Sequence, residues 1–84
     1  MNQIPITKKA WRELKEGDGL KDVYDAIWKV TGHDKNDPDT IHVIYPGLTQ
    51  EDSLTWENGK IIDNSDYSSV PELNDDSACI IKKD

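Results

Sequence analysis

The pair Asn58-Gly59 constrains the fold of this chain more than any other feature of its sequence. It separates two short segments, residues 54–57 and 60–63, which contain the β-branched and aromatic residues typical of strands. Asparagine and glycine most readily adopt the positive φ angles of a two-residue type I′ turn. Residues 54–63 are therefore predicted to form a β-hairpin.

Two further segments have the composition of strands. Residues 41–45 read Ile-His-Val-Ile-Tyr, and residues 78–82 read Ala-Cys-Ile-Ile-Lys, so both are predicted to be strands. The polar stretches that precede them, residues 33–40 and 64–77, are predicted to be loops, the second of them long.

The N-terminal part of the chain carries the signals of two helices. Thr7 is a suitable N-cap for a helix that continues to residue 16 and stops at Gly17. Asp18 is a suitable N-cap for a second helix over residues 19–31, because the apolar side chains there recur at helical spacing. These side chains are Leu20, Val23, Tyr24, Ile27, Val30 and Thr31.

The predicted element order is two helices followed by four strands. A parallel sheet would need helices between its strands, so this order favours an antiparallel sheet. We expect a single α+β domain over residues 1–84, in which the two helices pack on one face of a small sheet of three to four strands. A chain of 84 residues buries only about 60 % of its unfolded surface, so the expected core is small.

The charge of the chain is uneven along its sequence. The net charge is -7; residues 1–33 carry six basic and five acidic side chains, whereas residues 34–84 carry four basic and twelve acidic ones. An acidic surface repels nucleic acid and anionic membranes and accelerates encounters with basic surfaces. We therefore expect a protein partner with a basic surface, and no direct binding to nucleic acid or membrane.

The candidate partner-binding residues lie in this acidic part. Their carboxylates could imitate the phosphates of a duplex, with Trp56 and Tyr67 as aromatic anchors among them. The alternative is that the acidic residues only keep a small protein soluble. The candidates are Glu51, Asp52, Trp56, Glu57, Asp63, Asp66, Tyr67, Glu72, Asp75 and Asp76.

The sequence contains no arrangement typical of a catalytic or metal site. His33 and His42 are its two imidazoles, and neither accompanies a Gly-x-Ser-x-Gly motif or a cysteine. Residues 34–45 are only superficially similar to a calcium loop, since Pro38 stands at the fifth position and Tyr45, at the twelfth, cannot chelate. We expect a protein that is not an enzyme and that uses neither a cofactor nor a metal ion.

Cys79 is the only cysteine, so neither an intrachain disulfide nor a cysteine-based zinc site is possible within one chain. No apolar run approaches the roughly 18 residues of a membrane span, and residues 1–5 lack the basic and apolar regions of a secretory signal. These features predict a cytoplasmic protein.

Two functions from different classes fit these observations. The first is an inhibitor of a basic, nucleic-acid-handling protein, of the kind that phages or mobile elements use against host defence or that confers immunity to a nuclease toxin; nucleic-acid mimicry is one way to achieve this. The second is an adaptor or structural subunit that docks through the apolar helix face containing Trp28 or through an edge strand. Direct nucleic-acid binding by the basic residues of the first helix is disfavoured, because Glu13 and Glu16 interrupt them.

Overall fold

The strands of this chain form one antiparallel sheet that is much larger than predicted. A computed structural model describes residues 2–83, and eight strands and one helix occur in this part of the chain. In chain order they are β1 (Asn2–Pro5), α1 (Lys8–Arg12), β2 (Gly19–Lys21), β3 (Ile27–His33), β4 (Thr40–Ile44), β5 (Glu51–Glu57), β6 (Lys60–Asp63), β7 (Ser68–Ser69) and β8 (Cys79–Lys82).

The order of strands across the sheet is β1-β8-β2-β3-β4-β5-β6-β7. From β2 to β7, strands that follow one another in the chain are also neighbours in the sheet. The exception is β8, which lies between β1 and β2 and pairs Ile80 with Ile4 on one side and with Leu20 on the other. The two ends of the described chain therefore complete the same side of the sheet.

The expected α+β domain, with two helices on a sheet of three to four strands, is wrong. Residues 19–31, predicted to be the second helix, instead form β2 and most of β3. Their apolar side chains also fit the two-residue period of a strand, with Trp28 and Val30 buried in the core. Tyr24 and Ile27, which the helical pattern assigned to the apolar stripe, are 79% and 41% exposed.

Asp22 explains why this segment turns rather than continuing as a helix. Its buried carboxylate accepts hydrogen bonds from the backbone N–H groups of Tyr24 at 2.8 Å and Ala26 at 3.1 Å. The other carboxylate oxygen accepts the indole N–H of Trp28 at 3.0 Å. Aspartate competes with helical hydrogen bonding in this way, and here it also satisfies a buried donor on the following strand.

Replacing Asp22 with alanine is expected to lower the free energy of unfolding by about 3 kcal/mol, because the buried indole N–H of Trp28 loses its acceptor along with the two turn bonds. Asp22→Asn is the matched control: its amide oxygen keeps the turn bonds, but its amide NH₂ meets the indole donor, so a smaller loss is expected. Urea denaturation measures both variants. An Asp22→Ala protein as stable as the wild type would contradict this role of Asp22 in the turn between β2 and β3.

The first predicted helix is present but shorter than expected. Thr7 is its N-cap, as predicted, and its hydroxyl oxygen accepts the N–H of Ala10 at 3.1 Å. The helix ends at Arg12 rather than at residue 16. Its fully buried Trp11 donates its indole N–H to the carbonyl oxygen of Asp39 at 2.8 Å, which ties α1 to the loop before β4. No helix within residues 2–83 is long and apolar enough to span a bilayer.

The hairpin around Asn58-Gly59 is confirmed. The φ angles of Asn58 and Gly59 are 53° and 81°, as a type I′ turn requires, and Glu57 pairs with Lys60 beside the turn. The antiparallel pairing follows the prediction, and the first strand of the hairpin extends back to Glu51.

The two other predicted strands are also confirmed, as β4 and β8, each within about one residue of its expected bounds. The expectation of a long polar loop over residues 64–77 is only partly right. This segment contains the short strand β7 and contributes Val70 and Leu73 to the core.

The core lies on one face of a curved sheet. Eight flat strands would span about 34 Å at the usual spacing, whereas the longest dimension of the molecule is 29 Å. Alternate side chains of β2 to β6 and β8 supply most of the core. Residues 6–16, called the α1 segment below, and the β7–β8 loop also contribute side chains to it. The largest fully buried side chains are Trp11, Leu14, Leu20, Ile41, Val43, Leu54, Ile61, Leu73 and Ile80.

Asp18 fastens β8 to the connection between α1 and β2. Its carboxylate is buried and accepts the Lys82 ammonium at 2.8 Å, the backbone N–H of Lys83 at 2.9 Å and that of Lys15 at 3.1 Å. Burial alone would raise the pKa of Asp18, but these hydrogen bonds and the positive charge of Lys82 outweigh it and hold the pKa below its usual value. The folded state therefore keeps this carboxylate ionised.

The stability of the fold is expected to depend on the ionisation of Asp18. Because its pKa is lower in the folded chain, its stabilisation is complete above the unfolded pKa of about 3.9 and is lost as the pH falls from there through the folded pKa. Asp18→Asn is expected to cost about 3 kcal/mol at pH 7, and urea denaturation should show this difference shrinking by pH 3. A difference that stays constant from pH 7 to pH 3 would contradict the assignment.

Candidate partner-binding surface

The acidic part of the sequence becomes one half of the sheet. Residues 34–77 contribute β4, β5, β6 and β7, which are consecutive in the sheet, and the loops that join them. This segment carries eleven acidic residues and two basic ones, Lys35 and Lys60. The charge asymmetry along the chain is therefore also an asymmetry in space.

The predicted site residues occupy three places on this half. Glu51, Asp52, Trp56 and Glu57 lie on β5; Asp63 ends β6, with Asp66 and Tyr67 in the turn that follows; Glu72, Asp75 and Asp76 lie in the β7–β8 loop. Trp56 meets Asp75 and Asp76 around one groove. Glu51 and Asp52 lie at the other end of β5, about 13 to 17 Å along the strand from Trp56, so the set does not form one compact site.

The groove beside Trp56, called the Trp56 groove below, lies between the end of β1, the β5–β6 hairpin and the β7–β8 loop. Its volume is about 230 Å³. Apolar side chains from distant segments line it, among them Pro5, Ile6 and Leu73. Asp75 and Asp76 lie at the same groove, and no basic residue lines it in the described chain. Its apolar members were missed in the sequence, because nothing local in the sequence brings them together.

Trp56 also lines a second groove, with a volume of about 480 Å³. Asp37, Asp39 and Glu57 line it, but so does Lys8. Arg12 also donates to Asp39, with its Nε 2.7 Å from Oδ1. This hydrogen bond and the positive charge of Arg12 hold the pKa of Asp39 below its usual value. A cation of the chain itself therefore already binds one carboxylate of the second groove.

Three aspartates of the acidic half are held by the same local structure. In each Asp-x-Ser sequence, the serine donates both its backbone N–H and its hydroxyl to Oδ1 of the aspartate, at 2.6 to 3.2 Å. The hydrogen bonds from Ser77 lower the pKa of Asp75. Such turns fix a charged carboxylate while leaving Oδ2 available to a partner. The pairs are Asp63 with Ser65, Asp66 with Ser68, and Asp75 with Ser77.

Tyr67, one of the two predicted aromatic anchors, lies at the surface. It is 72% exposed, with a φ of 55°, and its hydroxyl donates to the Glu57 carboxylate at 3.2 and 3.3 Å. This hydrogen bond and the negative charge of Glu57 raise the pKa of Tyr67. The pair joins the turn after β6 to the end of β5.

The two histidines have different surroundings. His42 lies on β4 between two carboxylates, with Nε2 3.3 Å from Asp34 and Nδ1 3.4 Å from Glu51; Glu51 also accepts the hydroxyl of Thr31 at 2.7 Å. The pKa of Asp34 is lowered, mainly by the hydrogen bond from the backbone N–H of Asn36 and to a smaller extent by the contact with His42. The resulting network links β3, β4 and β5.

His33 follows the segment that was predicted to be the second helix, but it ends strand β3 opposite Ile41. Both of its ring nitrogens are buried without a hydrogen-bond partner among the described residues. In the same part of the chain, no group of three or more His, Cys, Asp or Glu side chains is arranged to hold a metal ion.

The predicted docking face, an apolar helix face containing Trp28, is also wrong, because Trp28 lies on strand β3 and is buried. Its ring packs edge-on against that of Tyr45, with the ring centroids 4.7 Å apart. The apolar side chains that the sheet exposes near this point lie instead on the β4–β5 loop. Tyr45 and Leu48 are 39% and 57% exposed and line a groove of about 270 Å³ with Lys29 and Pro46.

Comparisons with protein-family models, with curated proteins and with solved structures gave no significant match. The fold and surface define a small β-sheet domain with one acidic half.

The Glu57–Tyr67 contact is expected to appear in a spectrophotometric titration. Tyr67 should ionise above the usual phenol pKa of about 10, because ionisation breaks its hydrogen bond and brings two negative charges together. Comparing the wild type with Tyr67→Phe isolates its titration curve. In Glu57→Gln this curve should move to lower pH, and a curve that does not move would show that the two side chains are not in contact.

Proposed function

We propose that this protein is a small acidic binding protein, without enzymatic activity, that antagonises a basic, nucleic-acid-handling protein. The observation that carries the proposal is the concentration of eleven carboxylates against two lysines in residues 34–77, which form the β4–β7 half of the sheet. Arg12 and Lys8 add two positive charges to this half, near Asp39. A field of one sign over such a surface accelerates association with a surface of the opposite sign.

The way in which these carboxylates are held supports the proposal. Asp63, Asp66 and Asp75 are fixed through one oxygen by their own turns. A partner's lysine or arginine can bind the second oxygen without paying the entropy of ordering the side chain. Hydrogen bonds between ionised groups are about twice as strong as those between neutral groups.

A partner covered by this surface would lose access to its nucleic acid. The proposed role is therefore that of a phage- or mobile-element-encoded counter-defence protein, or of an immunity protein for a nuclease, with nucleic-acid mimicry as the mode of competition. We propose the cytoplasm as its compartment, which the single, unpaired Cys79 supports.

An adaptor or assembly subunit is the second candidate function. The exposed Tyr45 and Leu48 favour it, because neighbouring apolar side chains at a surface groove are typical of protein docking sites. An adaptor of this kind would bind by burial of apolar surface, so its association would depend little on salt.

Affinity capture from a lysate of the host organism separates the two functions. Tagged protein is loaded at low salt and eluted in parallel with high salt and with duplex DNA, and the eluted proteins are identified by mass spectrometry. We expect a basic nucleic-acid-handling protein in both eluates, because salt screens the contact and DNA competes for the same surface. A partner that resists both treatments would overturn the proposal in favour of the adaptor.

A pair of matched variants tests the surface itself. Glu57→Lys with Asp76→Lys reverses two exposed charges on the acidic half, whereas Glu13→Lys with Glu16→Lys reverses two exposed charges in the α1 segment. At low salt, the first pair is expected to slow association with the captured partner about tenfold, and the second pair much less. Equal effects of the two pairs would mean that only net charge matters.

A further inference from the structure

We propose that the Trp56 groove receives a single arginine side chain from the partner protein. The inference rests on the proposed function and deepens it, because it names the chemical group that the acidic surface recognises. It predicts that the partner presents an exposed arginine on a protruding segment.

The size of the groove suits one side chain. Its volume of about 230 Å³ is below the roughly 300 Å³ at which pockets for small molecules begin. Pro5, Ile6 and Leu73 give it apolar walls. The methylene stem of a long basic side chain packs well on such walls while its charged head stays at the rim.

Trp56 is the aromatic residue that lines this groove, and contacts within the chain hold it in place. The backbone N–H of Trp56 donates to the carbonyl oxygen of Asp39 at 2.8 Å. Trp56 also pairs with Ile61 across the β5–β6 hairpin. Behind it, the ring of Trp11 lies 6.1 Å away at a tilt of 46°. A fixed indole is the best partner for a cation over an aromatic face, and a planar guanidinium stacks on it better than an ammonium does.

The charges at the rim select a cation. Asp75 and Asp76 lie at the groove, and Oδ1 of Asp75 is already fixed by Ser77. This leaves Oδ2 of Asp75 and the Asp76 carboxylate for the two-pronged hydrogen bonding that guanidinium groups form. The second groove lacks this vacancy, since Arg12 of the chain itself binds Asp39 and Lys8 lines the same space.

The experiment follows the indole N–H signal of Trp56 in ¹⁵N-labelled protein during titration with N-acetyl-arginine amide. N-acetyl-citrulline amide, which has nearly the same shape but no charge, and N-acetyl-lysine amide are titrated in parallel. We expect the arginine compound to shift the Trp56 signal with a dissociation constant of about 1 to 10 mM, as befits an isolated side chain. The citrulline compound should bind at least tenfold more weakly, and the lysine compound should lie between them.

Two double variants test the role of the rim. Asp75→Asn with Asp76→Asn is expected to weaken the arginine compound about tenfold, and asparagine keeps the acceptor that Ser77 needs. Asp52→Asn with Asp66→Asn removes the same charge from residues that do not line the groove, and it should change the dissociation constant less than twofold. Thermal unfolding of both variants checks that the fold is intact.

The possible failures are distinguishable. Equal binding of the arginine and citrulline compounds, or no effect of the Asp75 and Asp76 substitutions, would overturn the groove assignment, and lysine binding as tight as arginine would overturn the choice of arginine. If capture of a basic partner stays sensitive to salt and DNA while Asp75→Asn with Asp76→Asn binds it normally, the groove assignment fails and the proposed function stands. A captured partner that resists salt would refute the proposed function, and the titration would still report on the groove.

Discussion

The buried carboxylate of Asp18 is the contact on which the rest of the structure depends. It binds Lys82 and the backbone of Lys83 at the end of β8, and the backbone of Lys15 after α1. Because β8 is the strand that joins β1 to β2, this one ionised group ties the α1–β2 connection to a strand that lies 64 residues later in the chain. Through Lys15 it also binds the α1 segment, whose Trp11 ring lies 6.1 Å from the ring of Trp56.

The aspartates of this protein serve the fold and the surface at the same time. Asp22 is used entirely by the fold, because both of its oxygens accept hydrogen bonds from the chain. Asp63, Asp66 and Asp75 use one oxygen for a turn and present the other to solvent. Turn formation can therefore explain the acidic composition without excluding an acidic surface that binds a partner. The same aspartate can do both, because each role uses a different oxygen.

The parts of the fold that could be predicted from the sequence are those that neighbouring residues determine. The Asn58-Gly59 hairpin, β4 and β8 carry their own turn or strand signals. The segment 19–31 carries no such signal, since its apolar residues fit both a helix and a strand. The strand conformation is selected by the hydrogen bond between Asp22 and Trp28 and by pairing with β8 and β4. Strand β1 was missed because its partner lies more than seventy residues away. For the same reason the sequence located the acidic segment but not the Trp56 groove, which three distant segments build.

The position of β8 between β1 and β2 also determines when the sheet can be completed in a newly made chain. Strand β1 leaves the ribosome first, yet β8, its neighbour in the described sheet, is translated last of the eight strands. Until residue 82 has emerged, β1 has no strand to pair with, and Pro5 and Ile6 cannot meet the β7–β8 loop across the groove. The Trp56 groove therefore forms in one late step, after translation of β8, rather than gradually as each strand is made.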